Sequence, residues 1–350
     1  MKTRFLAASF SVLWVLPVAG QDDRILLANG TKVEGVKVTA YDIRELRYAK
    51  GSSNESVSTD QVAKVELGKF RDVYARGIKN ADLMLTVARE QMEGKNEVMA
   101  QLGFVGASAR FFDTDRAQEA VGCLDELQKL LPEAGVVPEV YRQKFEYYMS
   151  LGGKGAPNAM AVAKKYQSAA TGGAWPTGFT VEAEFFLALA ERAAGGNPAE
   201  YQTKLKGVIG RAGSSNPTIM NRANVELAHS LREGKDTEGS RRIYEEVLKR
   251  DSVDDSSRAG AFVGMGMLLL DEATAENREA AKKALLMFLR VRLETREAWP
   301  SLQAEALYHA ILAADKWRGN EYQTIMARCR GVLFAEFAGT EWEQRAKAGR

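Results

Sequence analysis

The sequence predicts a mainly α protein: a small five-stranded, barrel-like β-module followed by an α-solenoid of about six helix pairs. Three observations carry that expectation. Apolar residues alternate in short runs as far as Leu67 and recur at helical period from Lys69 onward. Candidate second helices of successive pairs begin near Asp115, Ala156, Pro198, Asp236, Glu276 and Asn320, a recurrence of about 40 residues. Breakers such as Gly152-Gly153, Gly172-Gly173, Gly195-Gly196-Asn197-Pro198, Gly234 and Pro300 fall between the helices.

The first residues read as an address. Met1-Lys2-Thr3-Arg4 is basic, Phe5 to Ala19 is apolar apart from Ser and Pro, and Val18-Ala19-Gly20 offers the small residues of a cleavage site. That run falls short of the roughly 20 apolar residues a membrane-spanning helix needs. The expected organisation is therefore a signal peptide over 1–20, a β-module over 21–68 and a helical repeat domain over 69–350. The mature chain is expected to start at Gln21 and to be exported, periplasmic or associated with the cell envelope.

In the β-module, Ile25-Leu26-Leu27 precedes Asn29-Gly30, a hairpin signal because both positions tolerate positive φ. Val33, Val36 and Val38 form the second strand, with Gly35 as a bulge or tight bend. Leu46 and Tyr48 mark a third strand, Val57 a fourth, and Val62, Val65 and Leu67 a fifth. The segment from Asp23 to Val36 resembles the SH3-like or Sm-like modules at the start of some exported bacterial proteins. Sm-like modules imply RNA, yet this segment sets Tyr41 and Tyr48 among Asp42, Glu45, Glu55, Asp60 and Glu66, without the basic groove a single-strand binder uses. A structural or protein-docking role is the expectation.

The first helices of the pairs are expected over 96–112, 137–151, 180–194, 218–232, 256–271 and 301–316. Met220, Ala223, Leu227, Ala228 and Leu231 fall on one face of one helix. Ser240, Ile243, Tyr244, Val247 and Leu248 do the same on its partner. Tyr244 is expected to anchor the core of that pair. The pair from Asn221 to Asp254 resembles a tetratricopeptide repeat (TPR), with Leu227-Ala228 and Leu231 on its first helix and Ser240, Tyr244 and Val247 on its second. It departs from that family at Asn224 and Ser252, and a helical repeat of another family is the alternative. Phe337-Ala338-Gly339-Thr340-Glu341-Trp342 resembles the joints between repeats of envelope tetratricopeptide proteins.

Composition narrows the chemistry. The chain holds 48 Lys and Arg against 46 Asp and Glu, and removal of Lys2 and Arg4 balances the two, which disfavours nucleic acid as a ligand. Two His and two Cys are too few for a clustered zinc site. Cys123 and Cys329 fall on apolar faces as packing residues, with neither a disulfide nor a catalytic thiol expected. Gly152-Gly153-Lys154-Gly155 lacks the spacing of a phosphate loop and reads as a connector. Gly264-Met265-Gly266 reads as a close-packing stretch, and the carboxylate pairs Glu182/Glu184 and Asp254/Asp255 as helix-start residues.

The candidate binding residues are Arg222, His229 and Arg232, which share a face with Val225. Through bidentate arginine contacts that face would recognise carboxylates of a peptide. The expected function is a non-enzymatic protein–protein interaction scaffold binding a protein or peptide on the solenoid, with no cofactor and no catalytic residue. Two alternatives stay open: an accessory protein that binds cell wall or polysaccharide, and an enzyme with a site between the β-module and the helices.

Overall fold

The structure, a computed structural model, describes residues 22–114, 116–213, 216–250 and 253–349. The expected leader over 1–20 and its cleavage before Gln21 lie outside the described residues. The chain is mainly α, with an antiparallel five-stranded sheet at its N-terminal side. Strands β1 (Asp23–Leu27), β2 (Lys32–Tyr41), β3 (Glu45–Lys50), β4 (Ser53–Ser58) and β5 (Val62–Glu66) pair in the order β4-β3-β2-β1-β5. The Asn29-Gly30 turn forms as expected: Thr31 N donates to Asn29 Oδ1 at 2.9 Å, and Gly30 has a φ of 86°. Gly35, at a φ of 68°, sits where the β1–β2 register shifts. Ile25, Val36, Leu46 and Tyr48 form the small core.

Packing divides the chain into two compact units, one of 22–147 with Asn158–Leu187 and one of Tyr148–Pro157 with 188–349. The first unit holds the β-module with α1 (Phe70–Val73), α2 (Ala81–Glu93), α3 (Glu97–Asp113) and α4 (Ala117–Leu130). It also holds most of α5 (Val137–Ser150) and α6 (Ala156–Gly172), and the first part of α7 (Thr177–Ala193). The β2–β3 connection is stitched to the helices. Ile43 N donates to Glu133 O at 2.9 Å, Gly135 N to Tyr41 O at 3.2 Å and Gln101 Nε2 to Tyr41 O at 3.0 Å. A side chain at Gly135 would meet the Tyr41 ring, so only glycine admits this approach.

The second unit runs from α8 (Pro198–Ala212) through α9 (Pro217–Glu233), α10 (Thr237–Lys249), α11 (Asp255–Asp271) and α12 (Arg278–Glu294). It ends with α13 (Pro300–Trp317), α14 (Tyr322–Glu336) and α15 (Glu341–Lys347). The helix starts are written locally. Asn197, Asn216, Asp236, Asp254 and Thr340 each cap a helix by accepting from a backbone N–H of its first turn. Consecutive helices from α8 to α13 pack on one another, and so do α13 and α14. In addition α9 packs on α11, α11 on α13, and α13 on α15, so these helices form one continuous row. The expected pair helices all appear. Helices α1, α2 and α15 belong to none of the expected pairs.

Helix α11 lets its neighbours approach its backbone closely. A Cβ at Gly264 would lie 2.1 Å from the Tyr244 ring, one at Gly266 2.5 Å from Phe288, and one at Gly260 2.7 Å from Val225. Tyr244 is fully buried, as expected of a core anchor. Glycine inside a helix costs about 1 kcal/mol relative to alanine, and here ring-to-backbone packing offsets that cost. Gly264→Ala should therefore destabilise the protein by about 1–3 kcal/mol, because overpacking outweighs the gain in helix propensity. Gly207→Ala, at an exposed position of α8 where a Cβ would meet nothing within 4 Å, should stabilise by about 0.5–1 kcal/mol. Urea unfolding of the two variants reads the opposite signs.

Candidate functional site

Arg222, His229 and Arg232 all lie on α9, and each has a partner inside the protein. Arg222 Nε is 3.3 Å from Asp254 Oδ1, and its guanidinium lies over Trp299 at 4.7 Å. Arg232 Nη1 lies 3.3 Å from Asp271 Oδ2. His229 Nδ1 lies 2.7 Å from the Tyr244 hydroxyl. Val225, expected on the same outward face, is instead core, packed with Ala228, Tyr244, Val247, Ala261 and Leu268. The reason is positional: α9 packs on α8, α10 and α11, and the close approach of α11 at Gly260 covers Val225.

The structure adds further residues to this face. Glu226 is one turn from both Arg222 and His229 on α9, and its Oε2 accepts from the Tyr201 hydroxyl at 2.9 Å. On α13, Glu305 and His309 stand one turn apart, with His309 Nε2 3.9 Å from Glu305 Oε1. The His309 ring packs against Phe288, Tyr308 and Trp342 at centroid distances of 5.5, 5.1 and 5.4 Å. Its Nδ1 and the Nε of Arg232 are buried with no hydrogen-bond partner. The i, i+3 and i, i+4 carboxylate–imidazole spacings, Glu226 with His229 and Glu305 with His309, are the sequence signal that could have found them.

These groups share one electrostatic environment. Burial raises the Glu226 carboxyl to about 7, against the Tyr201 hydrogen bond, with Glu233 adding to the rise. Burial also raises Glu305 to about 8; Glu226 pushes it further, and Arg232 and Arg345 pull the other way. Both imidazoles are held neutral. Burial, reinforced by the Arg232 charge, lowers His229 to about 3 and His309 to about 4. The face thus offers two carboxyls that ionise near neutral pH beside two uncharged imidazoles. Among the described residues no three His, Cys, Asp or Glu side chains come together as a metal site would need.

No protein-family model and no curated protein matches the chain. The chemistry of this face therefore rests on its own residues.

The first unit contains a second polar cluster, which is internally saturated. Arg142 donates from Nε and Nη2 to the two oxygens of Glu182 at 2.7 and 2.8 Å, and from Nη1 to Glu139 at 3.1 Å. The Tyr166 hydroxyl donates to Glu182 at 2.7 Å. Glu182 was expected to serve a helix start; it is a buried ion-pair partner inside α7 instead. Asp254 does cap α11, accepting from Ser257 N at 3.1 Å. Gly152–Lys154 forms a short 3-10 turn between α5 and α6. Cys123 and Cys329 are free and buried, and burial raises both thiols.

The raised carboxyls fix the sign of a pH effect. Glu226 and Glu305 keep their protons in the folded state up to about 7 and 8, whereas in the unfolded chain they lose them near 4.5. Folding stability therefore falls between those values as pH rises. The histidines act in the opposite sense, losing stability below about 6.5, where the unfolded chain takes up protons that the folded imidazoles refuse. Melting temperature should decline from pH 6.5 to pH 8.5. Glu226→Gln/Glu305→Gln should flatten that decline, and differential scanning fluorimetry across the range reads it.

Proposed function

We propose that the chain is a non-enzymatic interaction scaffold of the cell envelope, TPR-like in its helices, which binds a protein or peptide along the face carried by α9, α11 and α13. The observation that supports this reading is the convergence of Glu226, His229 and Arg232 with Glu305 and His309 from helices two repeats apart, together with buried polar atoms that lack partners. A row of packed helices offers side chains at regular intervals, which suits an extended ligand better than a compact one. The N-terminal sheet, with β1 between β2 and β5 and a 3-10 turn before β5, agrees with the resemblance to SH3-like modules. Export from the cytoplasm belongs to the same proposal and rests on the leader.

An enzymatic reading has one observation in its favour: two carboxyls with raised and different proton affinities form the pattern of a general acid and base. Among the described residues it lacks an activated nucleophile, since both thiols are buried and burial leaves His229 and His309 only weakly basic. A polysaccharide reading would use exposed aromatics on one face, whereas Trp342 packs on Tyr308 and His309, and Trp299 lies under Arg222.

Selection of random peptides displayed on phage against the full chain tests the scaffold. Peptides should be recovered that bind wild type and lose about tenfold or more in affinity on Arg232→Ala, a loss of about 1.4 kcal/mol. Recovery of no binder, or retention of the chain on cell-wall polysaccharide instead, would count against the proposal.

A further inference from the structure

We propose that the exposed side of α12 and α14 is a contact surface for an anionic lipid bilayer. Leu286, Leu293 and Phe334 enter the headgroup layer there, and lysines and arginines around them meet the lipid phosphates. Peptide binding along α9, α11 and α13 neither requires nor excludes this contact. Helix α12 packs on α11 and α13, and α14 packs on α13 and α15. Arg292 of α12 donates to Glu336 of α14, so the ends of the two helices meet side by side. Of the large apolar side chains exposed among the described residues, the two on α12 stand out furthest, Leu286 at 52% and Leu293 at 72%. Phe334 of α14 is a third such residue. On α12, Lys282, Leu286, Leu289 and Leu293 follow one another at the four- and three-residue steps of a single helical stripe, with Lys283 and Arg290 along its edge. On α14 the exposed stripe is Gln323, Ala327, Arg330, Gly331 and Phe334.

Charge decides what covers these side chains. The whole chain is nearly balanced, with 48 Lys and Arg against 46 Asp and Glu, yet α12 and α14 together hold seven basic residues and three glutamates. Each of those glutamates already has a cation. Glu279 lies 3.8 Å from Lys282, Glu294 lies 2.7 Å from Arg290, and Glu336 takes Arg292. Lys283, Arg328 and Arg330 are exposed and have no carboxylate partner among the described residues, and α14 holds no acidic residue before Glu336. The complementary partner is therefore anionic, and it must also accept protruding leucines. A fluid headgroup layer does both, because it receives isolated apolar side chains without a matching groove, whereas a protein partner needs shape complementarity at the centre of its contact. The lysine and arginine stems lie along the apolar boundary while their charges stay at the phosphates.

Vesicle co-sedimentation tests the surface. The protein is used from Gln21 onward, the expected exported form and the span that holds both compact units, so that the apolar leader contributes nothing. It should sediment with phosphatidylcholine vesicles containing phosphatidylglycerol, and at least about tenfold more weakly with phosphatidylcholine alone. Raising sodium chloride from about 0.1 M to about 0.5 M should release it. Leu286→Gln/Leu293→Gln should lower the partition coefficient about tenfold or more, since both apolar side chains then lose their burial in the interface. Arg328→Gln/Arg330→Gln should lower it about fivefold or more on the anionic vesicles and leave the neutral ones unchanged. All four positions are exposed, so both variants should melt with wild type, which separates loss of the surface from loss of the fold. Absence of binding to anionic vesicles, equal binding to neutral ones, or undiminished binding of the leucine variant overturns the proposal. A dimer seen by sedimentation velocity without lipid, and dissolved by the leucine variant, would assign the surface to a second copy and overturn it as well.

Discussion

The second unit depends on how closely α11 lets its neighbours approach. Three glycines within two turns of that helix take the Val225 side chain, the Tyr244 ring and the Phe288 ring directly onto its backbone. Tyr244 comes from α10 and Phe288 from α12, so α11 is gripped from both sides. The consequence reaches beyond stability. With α11 so thin, α9 and α13 are near enough across it for Glu226 to act on Glu305 and for Arg232 to act on both imidazoles. Tyr244 links the two roles, because its ring fills the core while its hydroxyl holds His229 Nδ1.

Charge on this face is distributed against first impressions. Arginines dominate the outward positions of α9 in the sequence, yet Asp254 and Asp271, at the two ends of α11, neutralise them. What remains uncompensated is acidic and protonated near neutrality. The Arg142 cluster of the first unit makes the contrast: there every guanidinium nitrogen meets a carboxylate oxygen, Tyr166 adds another donor, and the network has no unmet group of its own. Saturation marks that cluster as a clasp, whereas on the α9–α13 face His309 Nδ1 and Arg232 Nε are buried without a hydrogen-bond partner.

Much of the fold was legible because its signals are local. Asn29-Gly30 specifies a turn by backbone freedom alone, Asn216, Asp236 and Asp254 specify helix starts, and the recurrence of about 40 residues exposes the pairing. Gly264 and Gly266 could be recognised as close-packing positions, although not which rings they admit. The site was only half legible. Arg222, His229 and Arg232 share a face by helical spacing, but their aspartate partners lie about 30–40 residues away, and only the packing of α11 brings them in. Val225 was assigned outward because a single stripe was assumed for α9, whereas a helix packed on three neighbours buries a second stripe. Glu182 was misplaced for a similar reason, since its ion pair with Arg142 joins helices that no short-range spacing connects.

The most direct measurement is a 13C titration of the side-chain carboxyls of Glu226 and Glu305 in the whole protein. If the thin α11 holds the two in one water-poor site, their midpoints lie near 7 and 8, and Glu226→Gln lowers that of Glu305. Midpoints near 4.5 for both, or a Glu305 midpoint indifferent to Glu226, would contradict the account.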